Sequence, residues 1–354
     1  MKHLFGFAPW RRQKVHGVVA VLRRPDGIGL VHLLFEPGTA LPMVARCLFQ
    51  PEQDFPAQLR LLTAWVRQYG LHGARFVGLL NRDEYLLLPA DAPALPRAEW
   101  AINMRWKIAD RIPYPVEQAV VEIFALPGPL PQEESGKIYV AVAQEATVQR
   151  AADLFLHAGL SLVGIDILDL ALGRLTDTLP EDAPGLGLLY WTGHGGVIQV
   201  RRQHTLFLAR LLETSPQPVW QPPTDTIPAF SPTRNSLALD TLAVELRRTF
   251  HFYEDNFSQP PLEHLFVIPV GYVGGDAPFH TGYDWPTPLA GASVAEAEGW
   301  PDAATHCAAL ADKLGMRVQA LPLERVVQWA PEVREADLIE CLPALGAALG
   351  WRPA

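Results

Sequence analysis

Asp166 and Asp169, in GIDILDLALGRL, are the side chains whose type and spacing first suggest chemistry. Paired carboxylates can share acid and base duties or hold a metal ion. These two fall where an apolar strand passes into a helix, a place where acidic groups cap the helix and solvate its first turn. His194 stands in TGHGG, whose glycines would let a ligand approach the ring, but a lone histidine in a hairpin turn reads as a solvated side chain. The eleven histidines show neither HxH nor HExxH spacing, which gives metal binding no support. Gly136-Lys137 is followed by Ile138 and lacks the earlier glycine of a phosphate loop. GLSLVG, residues 159–164, is one residue off a nucleophile elbow and has no obvious partner histidine. None of these segments is a complete catalytic motif.

The most distinctive stretch is EWAINMRWKIADRIPYPVEQAVVEIFALP, residues 99–127. Ala101, Met104 and Ile108 form one apolar stripe at helical spacing, and Ile102 and Trp106 form a second, about a third of a turn or more away. Such a helix is wedged between two neighbours or keeps one stripe for a ligand. Trp106 therefore reads either as core or as an anchor for a partner. Pro113-Tyr114-Pro115 forces an extended corner, because proline fixes its own backbone and restricts the residue before it.

The elements that must carry these residues follow from length and pattern. A chain of 354 residues exceeds what one hydrophobic core usually supports, so two lobes are expected. With 49% hydrophobic and 19% charged residues the composition is globular. The net charge of −9 argues against a dedicated nucleic-acid binder and suits a basic peptide or an arginine-bearing tail. Cys47, Cys307 and Cys341 lie far apart without a CxxC pair, as buried thiols of a reducing compartment do. MKHLFGFAPWRRQKV places its charge after a short apolar patch, unlike a secretory signal; it reads as a frayed terminus or a weak contact with anionic lipid. The apolar region 151–175 is interrupted by three aspartates, so no membrane span is expected.

Strands are expected at 17–22 and 28–34 around the turn RRPDG, then a helix at 57–69 and strands at 75–80 and 85–88 joined by NRDE. Three prolines at 89–96 break the pattern. Strands return at 118–126 and 137–143, followed by a helix at 147–159, after which 160–166 leads into a further strand and helix. A second lobe begins near Gly185 with a meander through Leu212. Six prolines make 215–234 a loop. Ser236 can cap a long helix whose buried face runs from Leu239 to Phe257. A strand at 262–269 is followed by a loop over 271–300, a helix at 305–314, a strand at 318–321 and one final helix at 336–349. The two halves share a plan, each opening with a hairpin meander and proceeding to a helix.

That plan, with RWKIADRIPYPVEQ (105–118), AGLSLVGIDILDLALGRL (158–175), LDTLAVELRRTFHFYEDNFSQPPLEHLFVIP (239–269) and the C-terminal CLPALGAALG, resembles the PilM/MshI family of type IV (MSHA-type) pilus biogenesis proteins, the MshI branch most nearly. Together the matches cover most of the chain from about residue 15 onward. The resemblance implies a mixed α/β, two-lobed actin-like fold of the duplicated ribonuclease H-like kind, related to FtsA. The first lobe would span 1–184, with an inserted subdomain at about 97–165. The second would span 185–354 and be closed by the C-terminal helix.

It further implies a cytoplasmic assembly protein, peripheral to the inner membrane through its partner. The partner is the N-terminal cytoplasmic tail of a PilN-like bitopic inner-membrane protein, held in a groove between the first lobe and the subdomain. Ile102, Trp106 and Tyr114 would be apolar anchors, with Asp110 and Glu117 available to a tail arginine. Other pilus assembly proteins are further expected partners, nucleic acid is not, and a homodimer stays open.

Actin-like ATPases place an Asp-x-Gly turn in each of two phosphate-binding hairpins, the Asp for hydrated magnesium and the Gly for close approach to phosphate. In GVVAVLRRPDGIGLVHL those positions fall on Leu22 and Arg24; in GLLYWTGHGGVIQV they fall on Trp191 and Gly193. The resemblance would place the family's adenosine loop at Gly274-Gly275. Neither Leu nor Trp can hold a hydrated cation. The expectation is a degenerate nucleotide cleft, no cofactor and no catalysis. The alternative is an ATP- and magnesium-binding switch or weak ATPase that regulates pilus assembly. A small-molecule kinase of the same superfold would need an acidic general base, and none is assignable.

Overall fold

The computed structural model describes residues 17–24, 27–125, 137–192, 195–212, 232–269 and 303–352. Strands β1 (Val18–Arg24) and β2 (Gly27–Leu34) pair antiparallel from Val18↔Leu33 to Arg24↔Gly27, and β3 (Met43–Pro51) continues the meander. Valines and leucines fill both faces of β1 and β2, as strands covered on two sides require. Helix α1 (Phe55–Gln68) starts at Asp54, whose carboxylate accepts from the Ala57 amide at 3.0 Å, with Pro56 in the first turn. It buries Leu62 and Val66 on the sheet. Strand β4 (Arg75–Leu80) returns parallel to β1.

The chain then leaves this sheet. Strand β5 (Leu86–Asp91), helix α2 (Trp100–Lys107), β6 (Ala119–Ala125) and β7 (Lys137–Gln144) form a separate unit, a three-stranded sheet of order β5-β7-β6. Met104 and Ile108 of the α2 segment pack with Ile138, Val140 and Val142 on one face of it. The segment with three prolines does not break the pattern at Pro89, which sits inside β5. An edge strand tolerates the missing amide, and this places the start of the third sheet at Leu86 rather than near residue 97. The unit ends with β7. Helix α3 (Glu145–His157) and strand β8 (Leu162–Ile167) already belong to the first lobe, where β8 lies parallel to β4.

After α4 (Leu168–Arg174) a second meander, β9 (Leu186–Thr192), β10 (Gly195–Arg202) and β11 (Thr205–Leu212), opens the second sheet. Helix α5 (Pro232–Phe257) leads to β12 (His264–Pro269), parallel to β9. Helix α6 (Ala303–Leu314) leads to β13 (Arg317–Ala320), parallel to β12. The second sheet has the order β11-β10-β9-β12-β13. In the first, β3-β2-β1-β4-β8 repeats the same plan of three antiparallel strands followed by two parallel ones. Helix α5 begins at Pro232, so Ser236 lies inside it and is not its cap. The loop 271–300 and most of 215–234 lie outside the described residues.

The C-terminal segment does not close the second lobe. Strand β14 (Gln328–Trp329) adds to the first sheet beside β3, and α7 (Glu335–Glu340) and α8 (Leu342–Leu349) pack on β1 to β4 and on α4. The single final helix expected at 336–349 is broken at Cys341, because Pro343 has no amide to continue the bond ladder. Helix α4 in turn touches β10 and β11 of the second sheet. One apolar core therefore runs from Ala20 and Leu22 through Ala171, Leu172, Leu345 and Ala348 to Leu188 and Tyr190, joining both lobes.

Candidate functional site

Two places are candidates: the outer face of α2 and the region between the two hairpins. On α2, alternate residues go opposite ways. Met104 and Ile108 turn inward, at 2% and 1% exposure, while Ile102 and Trp106 are 70% and 61% exposed. Residues four apart share a helical face, so Ile102 and Trp106 form one outward apolar stripe, and Asp110 follows, exposed, in the next short turn. Of the two sequence readings, the structure takes the one in which the second stripe is left open. Ala101, assigned to the inner stripe, is exposed.

The proline corner does not join this face as expected. Tyr114 is half-buried and packs, with Trp100 and Ile112, against the core of the three-stranded unit; burial pushes its phenol pKa up. Glu117 is exposed in the following short turn. Sequence reasoning missed Leu95, which is 41% exposed and whose carbonyl accepts from the Trp100 indole at 2.9 Å. Its neighbours Pro93 and Pro96 disguised it as part of a breaker segment. The helix is fixed by Arg105, which donates to the Ala119 carbonyl, and the corner by Arg111, which donates to the Pro89 carbonyl at 3.0 Å. A solvent-facing Trp and Ile on a scaffold held this way present an apolar anchor surface.

Between the hairpins, Leu22 is 1% exposed and belongs to the core shared by both lobes, so its side chain is packing rather than cleft lining. Arg24 reaches Glu340 of α7 at 2.8 Å and lies over the Phe49 ring, 4.6 Å from its centroid. Arg23 pairs with Glu84 at 3.2 Å, and Asn81 donates to the Arg23 carbonyl at 2.7 Å, so the end of β1 is tied to the NRDE turn. Trp191 pairs in the β9–β10 ladder with Gly196. Gly193, His194, Gly274 and Gly275 lie outside the described residues.

Asp166 and Asp169 are not solvated caps, which corrects the sequence reading. Their exposures are 6% and 0%. Asp166 accepts from the Ile167 amide and pairs with Arg174. Asp169 accepts from the Tyr85 hydroxyl at 2.6 Å and lies 3.2 Å from Arg82 Nε, while Gln199 of β10 donates to the Asp169 carbonyl at 2.8 Å. Burial first, and then the Asp169 charge, push the Tyr85 phenol well up. This cluster ties the start of the inserted unit to α4 and to the second lobe. Sequence gave no signal for it, because its members come from three distant segments.

Two sheets of one repeated plan, joined through α4, which packs on α8 and touches β10 and β11, and carrying an inserted unit on the first, define an actin-like α/β fold. The chain matches no protein-family model and no curated protein. Among solved structures it is similar to the PilM–PilN type IV pilus biogenesis complex, with a TM-score of 0.66 over 96% of this chain and 100% of that one, at 17% identity. EutJ, an ethanolamine utilization protein from Carboxydothermus hydrogenoformans, aligns at 12% identity over 94% and 88% of the two chains, TM-score 0.43. The cytoplasmic domain of EpsL, an inner-membrane component of the Vibrio cholerae type II secretion system, aligns at 13% identity over 71% and 81%, TM-score 0.42. The first of these likenesses carries the fold. Among the described residues no helix is long and apolar enough to cross a membrane.

Proposed function

We propose that this chain is a catalytically silent assembly scaffold of a type IV pilus machine of the MSHA type, nearest the MshI branch. It acts in the cytoplasm and is held at the inner membrane by a PilN-like protein, whose N-terminal tail docks on the inserted unit. The observation that carries this reading is the pair Ile102 and Trp106, large apolar side chains left 70% and 61% exposed on a helix whose other face is buried. The full-length likeness to a PilM chain taken from a complex with PilN supports the choice of partner. Asp110, exposed one turn beyond Trp106, is available to a tail arginine. The silent cleft rests on Leu22, whose apolar side chain is sealed in the shared core, and on Arg24, whose guanidinium is engaged by Glu340. Trp106→Ala should weaken a synthetic PilN-type tail peptide by about tenfold or more in calorimetry, as loss of a central aromatic anchor does. Unchanged affinity with an intact fold removes Trp106 from the site.

A further inference from the structure

The outer helical layer of the first lobe holds a second feature, independent of the tail-binding reading. Helix α1 turns Leu62 and Val66 into the core and leaves Leu59, Arg60, Thr63, Ala64 and Arg67 along a shallow, solvent-open groove of about 730 Å³ that reaches His157 at the end of α3. Arg60 and Arg67 are seven residues apart, so their stems rise from nearly the same side of α1, roughly 10 Å apart along its axis. Among the described residues the side chains of Arg60, Arg67 and His157 make no ion pair or hydrogen bond. No carboxylate lines the groove. In a chain of net charge −9, this is a local reversal of sign beside the half-buried Leu59 and the small, exposed Ala64. Leu156, beside His157 in the chain, is 69% exposed and adds apolar surface to the same end of α3.

We propose that this groove docks an acidic segment of a protein partner, two of whose carboxylates pair with Arg60 and Arg67 while apolar side chains rest on Leu59 and Ala64. Guanidinium favours carboxylate through paired, directional hydrogen bonds. The spacing fits acids about seven positions apart on a helix, or about two or four apart on an extended strand, where alternate side chains share a face and the flexible arginine stems take up the difference. An anionic bilayer is the poorer match. Asp153 stands one helical turn before His157 on the same face of α3, so an anionic surface broader than the groove would be opposed there by a carboxylate. A segment lying in the groove meets only its lining.

The test is selection of randomised displayed peptides on the full chain, followed by binding of the selected peptides to variants. The groove should select sequences enriched in paired Asp or Glu. Their affinity should fall by tenfold or more in Arg60→Ala/Arg67→Ala and be abolished in Arg60→Glu/Arg67→Glu, with melting temperatures unchanged because both positions are exposed. Trp106→Ala should bind these peptides as the parent does, which separates this site from the tail site. Absence of acidic enrichment, or acidic peptides indifferent to both arginine variants, overturns the proposal. So does a chain that selects no acidic peptide but loses capture by phosphatidylglycerol vesicles in Arg60→Glu/Arg67→Glu, which would assign the groove to lipid.

Discussion

Asp169 shows how a residue with catalytic looks can be structural. Its carboxylate is fully buried, and Arg82 and Tyr85 compensate its charge. Asp169→Asn removes that charge and leaves a partly buried guanidinium without its counterion, a loss of about 2–3 kcal/mol by urea unfolding. Tyr85→Phe shares the same bond, so the double variant should lose less than the sum of the two. Tyr139 offers a pH test. Burial raises its phenol to about 12, and its hydroxyl donates to the Phe207 carbonyl at 3.2 Å. A folded-state value above the unfolded one, which lies near 10, gives stability that is fully present below about pH 10 and lost as pH climbs through the folded value. Between roughly pH 10 and 12 the parent should lose on the order of 2–3 kcal/mol more than Tyr139→Phe, read as the difference between their unfolding curves.

At the scale of elements, the crossing of α4 and α8 depends on one small residue. A Cβ on Gly346 would sit 1.9 Å from the Ala171 carbonyl oxygen, so the two backbones touch. Alanine is the better helix former by about 1 kcal/mol, but here the clash with backbone cannot be relieved by a side-chain rotation. Gly346→Ala should therefore destabilise, by about 3 kcal/mol in thermal or denaturant unfolding, where propensity alone would have it stabilise. Boundaries and types of most elements could be read from apolar periodicity, as for α1 and the β1–β2 hairpin. The break at Cys341 and the strand at Pro89 could not: the first depends on which amide the ladder needs, the second on whether the strand is an edge. The open stripe of α2 was half legible. Its spacing showed two apolar faces, but only the missing neighbour beside Trp106 decided which one stays bare.

At the scale of the whole molecule, a core continuous from Leu22 to Tyr190 joins the lobes, and the Arg24–Glu340 pair engages the first hairpin. A chain with a silent cleft should not gain stability from ATP and magnesium. A ligand at a hundredfold excess over its dissociation constant would stabilise by about 2.7 kcal/mol and raise the melting temperature by a few degrees, so an unchanged melt is the expected result. A clear upward shift would restore the nucleotide-switch reading. The sequence by itself determined the duplicated plan, the two apolar faces of α2 and the apolar residues at the hairpin positions, because these follow from local spacing and side-chain chemistry. Only the tertiary structure decided that the C-terminal helix covers the first lobe, that Tyr114 turns inward while Trp106 stays out, and that Asp169 is sealed under Arg82 and Tyr85. Each of these depends on which distant segment arrives to cover a given face, and no local pattern records that.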